Sequence, residues 1–119
     1  MFPRMRAACV AALLAAGMVP AHAQAVLVAS VPKPGTSVPP GDLAFHLRFD
    51  RFIDHVRSRL FLTHPDGSVE YLVIAEAGPP QELISLARLT EGSYVLHWEA
   101  LQVGGHATSG SLKFTVSAR

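Results

Sequence analysis

A chain of 119 residues with 50% hydrophobic and 16% charged residues is one small domain, too apolar for a disordered polymer and too short for a two-domain enzyme. Its formal net charge of +1 excludes the strongly basic character that nucleic acid or an anionic membrane surface selects. The one cysteine, Cys9, and the three methionines, Met1, Met5 and Met18, all lie at the N-terminal end of the sequence.

That end reads as a secretory signal. Arg4 and Arg6 supply the basic start, residues 7–19 are an uncharged apolar run, and Pro20-Ala21-His22-Ala23 ends in small residues suited to a signal peptidase. The apolar run is shorter than the roughly 20 residues of a membrane span, and it has no polar face to turn to water as a surface helix would. Cleavage after Ala23 leaves Gln24 first; cleavage after Ala21 leaves His22 first. The expected division is therefore a signal peptide over 1–23 and one exported domain over 24–119. Losing Arg4 and Arg6 moves the net charge from +1 to −1, and every sulfur is removed with the signal. Neither disulfides nor a thiolate metal site can hold such a domain together, so its stability must come from a packed core.

From residue 26 onward, apolar residues alternate with a period of two in short runs separated by turn residues, and no stretch sustains a helical period. The pattern predicts seven strands, over 26–30, 43–49, 57–62, 69–74, 82–87, 93–98 and 111–117. In the second, Leu43, Phe45, Leu47 and Phe49 share one face and Ala44, His46 and Arg48 the other. In the sixth, Tyr94, Leu96 and Trp98 share the buried face, with Trp98 expected between two sheets. His64-Pro65-Asp66-Gly67 is a turn joining the third and fourth strands. Pro32, Pro34, Pro39 and Pro40 with Gly35 and Gly41 form a stiff crossing segment that cannot be a central strand, and Gly78-Pro79-Pro80 does the same before the fifth strand. The expected fold is all-β: a seven-stranded immunoglobulin-like antiparallel sandwich of Greek-key type, without the antibody disulfide.

No catalytic constellation emerges. The exported domain has no cysteine, its serines lack a nucleophile-elbow setting, and no glycine-rich phosphate loop is present. Five histidines remain after signal removal. His46 and His97 fall on strand faces opposite apolar neighbours and His64 in a turn, which are ordinary solvated positions. His55, beside Asp54 and close to Asp50, offers an alternative carboxylate and imidazole metal site. His106 stands in the loop Gly104-Gly105-His106-Ala107, which no core requires.

Leu89, Thr90, Gly92, Tyr94, Leu96 and Trp98, followed by His106, Gly110, Phe114 and Val116, resemble the C-terminal strands of the CopC-like copper-resistance proteins of the bacterial periplasm. In that family a Leu-Thr-x-Gly-x-Tyr-x-Val-x-Trp run leads to an Asp-x-His loop, a glycine and a Phe-x-Val strand. Ala25, Leu27, Ser30 and Pro32 are similar to the family's mature start, and Phe49, residues 58–62 and Gly67 to its middle. The resemblance covers nearly all of 24–119. It implies a non-enzymatic periplasmic copper carrier on a seven-stranded sandwich, with Cu(II) held by an N-terminal histidine and the Asp-x-His loop, and a CopD-like inner-membrane protein as partner. Many members add a methionine-rich Cu(I) site.

This chain departs from the family at the ligands. Gln24 stands at the N-terminal histidine position, Arg51 beside Asp50 at that of a glutamate, and Gly104 at that of the aspartate; His106 alone is retained. Cu(II) needs several donors in one geometry, and Cu(I) selects soft sulfur, which is absent. Cleavage after Ala21 would add the amine and imidazole of His22 to His106. The sequence thus implies a copper-binding protein of weak or altered Cu(II) affinity. Its rivals are a sandwich that has lost copper and binds another protein, and an oxidative copper enzyme that would require His22 at the terminus.

Overall fold

The computed structural model describes residues 24–118, so the segment 1–23 expected to be an export signal, with His22, lies outside the described residues. These residues form eight strands: β1 (Leu27–Val31), β2 (Ser37–Val38), β3 (Gly41–Phe49), β4 (Arg59–Thr63), β5 (Val69–Leu72), β6 (Glu82–Leu89), β7 (Gly92–Leu101) and β8 (Ala107–Val116). They make a three-stranded sheet in the order β1-β3-β6 and a five-stranded sheet in the order β2-β8-β7-β4-β5. The class is the expected one, a two-sheet all-β sandwich, with two corrections.

The strand count is eight and not seven, and the pairing is not wholly antiparallel. β2 lies inside the proline-rich crossing segment and runs parallel to β8, Ser37 opposite Thr115 and Val38 opposite Val116. Flanking backbone bonds hold it there: Gly35 N–H donates to Lys113 C=O at 2.7 Å, Thr115 N–H to Thr36 C=O at 3.0 Å, and Ser117 N–H to Val38 C=O at 2.9 Å. Proline confines the segment to a sheet edge, where one side of the strand needs no partner.

Alternation builds the core. Phe45, Leu47 and Phe49 of β3 and Leu83, Ala87 and Leu89 of β6 face Leu60 and Leu62 of β4, Tyr94, Leu96, Trp98 and Ala100 of β7, and Leu112, Phe114 and Val116 of β8. Phe45 and Phe114 meet edge to face at 5.8 Å, and Phe49 meets Trp98 the same way at 6.5 Å, so aromatic pairs lock one sheet onto the other. Tyr94 stacks on Phe114 at 5.5 Å, and its hydroxyl donates to Thr90 C=O at 2.7 Å, which ties the β6–β7 turn to the core and satisfies a polar atom that burial would otherwise penalise.

Register explains another pairing. Trp98 lies opposite Gly110, and a Cβ at Gly110 would collide with the indole, so the glycine is the floor on which the tryptophan lies. At the β4–β5 turn, Gly67 takes φ +88°, Gly67 N–H donates to His64 C=O and His64 N–H to Ser68 C=O. This is the hairpin expected from His64-Pro65-Asp66-Gly67, and it fixes which backbone groups of β5 face β4.

Candidate functional site

Three segments meet at one end of the sandwich: the N-terminal residues 24–26, the connection 50–54 after β3, and the turn 102–106 between β7 and β8. Backbone bonds bring them together. Asp50 N–H donates to Val26 C=O at 3.0 Å, and Val26 N–H donates to the Asp50 carboxylate at 2.8 Å. Asp54 N–H donates to Leu101 C=O at 2.8 Å, Val103 N–H to Phe52 C=O at 3.0 Å, and Ile53 bridges to Gln102. Buried Ala25 and Ile53 anchor the first two segments in the core. Buried Ser58 braces the third, its Oγ accepting Leu101 N–H at 2.8 Å while its own N–H donates to Asp54 C=O.

The 102–106 turn is closed by Gln102 N–H donating to His106 C=O at 2.6 Å and Gly105 N–H to Gln102 C=O at 2.9 Å. Gly104 and Gly105 have φ of +112° and +107°, which L side chains rarely adopt. The loss of the family's acid at Gly104 therefore coincides with a backbone on which an aspartate would be strained. His106 is exposed, as are Gln24 and Arg51. Among the described residues no three of His, Cys, Asp and Glu are grouped to hold a metal ion. His106 is the remaining imidazole of this end, and the Asp50 carboxylate is engaged by the Val26 amide.

The alternative site of Asp50, Asp54 and His55 does not form. The Asp54 carboxylate accepts the N–H groups of Val56 at 2.9 Å and Arg57 at 3.0 Å. Both ring nitrogens of His55 lie against backbone carbonyls, Nδ1 at 3.2 Å from Glu76 and Nε2 at 2.9 Å from Pro79. The ring therefore fastens the segment before β6.

The other histidines have local partners. His46 Nδ1 is 3.3 Å from Glu82 Oε1 on the outer face of the three-stranded sheet. His97 stacks on Phe61 at 5.3 Å and hydrogen-bonds Thr63. His64 lies 2.8 Å from Glu70. In the same turn the Asp66 carboxyl is held below its ordinary 3.8 by the Ser68 hydroxyl first, then by the Ser68 N–H and the nearby His64.

Two features of the candidate end have no clear sequence signal. Gln102 carries a buried side-chain oxygen without a hydrogen-bond partner, inside the turn that presents His106. Val26, Phe52 and Val103, from the three converging segments, are all exposed large apolar residues. Only the non-local bonds reveal that they share one end.

A CopC domain matches residues 27–117 of this chain. Among solved structures, the chain is similar to CopC from Methylosinus trichosporium OB3b at 26% identity and a TM-score of 0.69, covering 79% of this chain and 94% of that one. It is also similar to PcoC, a methionine-rich copper resistance protein from Escherichia coli, at 24% identity and a TM-score of 0.65, covering 80% of this chain and 100% of that one. The second likeness speaks to the fold alone. No curated protein matches the chain.

Proposed function

The chain belongs to the CopC family, and from that membership we propose a periplasmic binding module of copper homeostasis whose affinity for its Cu(II) cargo is weak or altered. The family consists of non-catalytic copper chaperones, and the domain is accordingly not an enzyme. What supports the altered affinity is one observation: the segments bearing the family's ligand positions converge, yet they carry Gln24, Arg51 and Gly104, with His106 as the retained imidazole. A single imidazole is a poor Cu(II) site, because affinity comes from several donors fixed in one geometry.

In this reading residues 1–23 are the export signal and 24–119 the CopC-like domain, wound as an immunoglobulin-like Greek key. His106 is the first ligand. His22, with its free amine, is a second if cleavage follows Ala21. A CopD-like inner-membrane protein is the partner that receives copper or a signal. No helix among the described residues is long and apolar enough to cross a membrane.

Cu(II) titration of the exported protein, with His106→Ala as control and intact mass to fix the N-terminus, tests the proposal. Sub-micromolar binding that is lost in the variant supports it, and a mass beginning at Gln24 removes His22 from the ligand set. Absence of binding at micromolar protein favours the second reading, an interaction module derived from the same scaffold. The exposed Val26, Phe52 and Val103 beside the altered ligand positions are the observation that favours it.

A further inference from the structure

The chain is fixed to the sandwich from Ala25 onward. Ala25 is the first buried residue among the described ones, 5% exposed, and Val26 is held twice, its C=O accepting Asp50 N–H at 3.0 Å and its N–H donating to the Asp50 carboxylate at 2.8 Å. β1 follows at once, with Leu27 opposite Phe49. Gln24 stands just ahead of this anchor and is exposed. A chemical change confined to residue 24 therefore leaves the contacts from Ala25 onward in place.

A glutamine that becomes the first residue of a chain carries both reactants of a ring closure. Its α-nitrogen is joined to its carboxamide carbon through Cα, Cβ and Cγ, so attack of the amine on Cδ closes an unstrained five-membered lactam. Both groups sit on one residue, and the reaction gains the full advantage of an intramolecular step. Exposure of Gln24 leaves room for the side chain to fold back on the amine.

We propose, resting on the export reading and on cleavage after Ala23 in place of Ala21, that Gln24 is a modification site, which closes to pyroglutamate and removes the terminal amine from this end of the sandwich. The lone pair of the α-nitrogen forms the new bond to Cδ and the Cδ–Nε2 bond breaks. The carboxamide nitrogen leaves as ammonia, taking the proton that the α-nitrogen gives up, so the step needs no oxidant, reductant or second reactant. The product is neutral, and its ring nitrogen is an amide whose lone pair is shared with the carbonyl, so both a positive charge and a nitrogen donor are lost. His106 is then left without a terminal amine to join it in holding Cu(II). Arg51 fits the closed form. Continuing the antiparallel count from Leu27–Phe49 and Val26–Asp50 brings Gln24 level with residues 51–52, where an ammonium would stand beside the guanidinium at the family's glutamate position. The Asp50 carboxylate at the same junction is already bonded to the Val26 amide. A neutral ring adds no second cation there.

Intact mass and N-terminal sequencing of the full chain after expression in a bacterium, on protein freshly released from the periplasm, test the proposal. The expected result is the mass of residues 24–119 less one ammonia and an N-terminus closed to Edman degradation. Treatment with pyroglutamyl aminopeptidase should then open a sequence that starts at Ala25. An open glutamine at 24 in the fresh protein overturns the proposal while leaving the export reading in place, whereas a chain that begins at Met1 or His22 overturns the cleavage as well. Gln24→Asn supplies the control. It keeps the carboxamide, but its shorter side chain would have to close a strained four-membered ring, so its amine should stay open and its Tm should match the parent's. Cu(II) titration should find this variant binding about tenfold or more tighter than the parent, because its amine is a second nitrogen donor at the end that bears His106. Equal affinities would overturn the claim that ring closure silences a copper ligand.

Discussion

The substitution Gly110→Ala probes the lock between the two sheets with a single carbon. Gly110 is on the inner face of β8, opposite Trp98 of β7, and an added Cβ would stand 2.8 Å from indole Cε2 and 3.0 Å from Cη2, with Cζ2 closer still. No flexible chain end is there to move aside. The indole is a rigid ring, only 8% exposed and held edge-on to Phe49 at 6.5 Å. Relief requires Trp98 to leave its rotamer or β8 to draw away, and overpacking of this kind costs ~1–3 kcal/mol. Alanine returns ~0.5–1 kcal/mol by losing less backbone freedom than glycine in a strand. Three rigid ring atoms within 3.0 Å put the overpacking at the upper end, ~2–3 kcal/mol, so the expected net loss is ~1–2.5 kcal/mol, or a fall in Tm of about 4–20 °C for a domain of this size. Urea unfolding followed by Trp98 fluorescence measures it, with heat denaturation by circular dichroism as a second readout. In a Trp98→Phe background the collision is gone, and Gly110→Ala should become neutral or slightly stabilising. An equal loss in both backgrounds would refute the cause assigned here, as would a loss under ~0.5 kcal/mol in the parent.

Two further outcomes follow from local chemistry. Ser58→Ala removes the buried acceptor of Leu101 N–H and leaves that amide unsatisfied, so unfolding should ease by ~1–3 kcal/mol, with faster amide exchange at Leu101 than at neighbouring β7 positions. The Asp66 carboxyl is lowered from 3.8, chiefly by the Ser68 hydroxyl, so its contribution to the β4–β5 turn is complete above about 3.8 and lost as pH falls through the lower folded value. Carboxyl chemical shifts should show an Asp66 midpoint below 3.8 that rises toward it in Ser68→Ala; an unchanged midpoint in the variant would discard the Ser68 hydroxyl as the cause.

The parts of the fold legible in the sequence are those written in neighbouring residues. Leu43, Phe45, Leu47 and Phe49 alternate because one side of a pleated strand is wet, and the three phenylalanine and leucine residues from 45 to 49 are buried as that alternation requires. The 64–67 turn was legible for a similar reason, since proline and glycine restrict the backbone where they stand. β2 was not legible. Its two residues have no period, and they form a strand only because β8 offers an edge beside them. β7 runs past residue 98 because Ala100 continues its buried alternation, whereas β8 begins at Ala107, before any buried position, because it pairs there with β7.

At the candidate end the division is equally clear. Sequence alone determined the two-sheet class, the family likeness, the absence of sulfur beyond residue 18 and the identities Gln24, Arg51, Gly104 and His106 at the ligand positions. Tertiary structure decided what those residues stand beside. It committed the Asp50 carboxylate to Val26, turned His55 onto two carbonyls, and put a positive φ at Gly104. It also anchored the chain at Ala25 and left Gln24 exposed just ahead of that anchor. The physical reason is that a side chain's type is local, whereas its freedom to bind depends on hydrogen bonds and contacts closed by segments distant in the chain, and no local pattern encodes those.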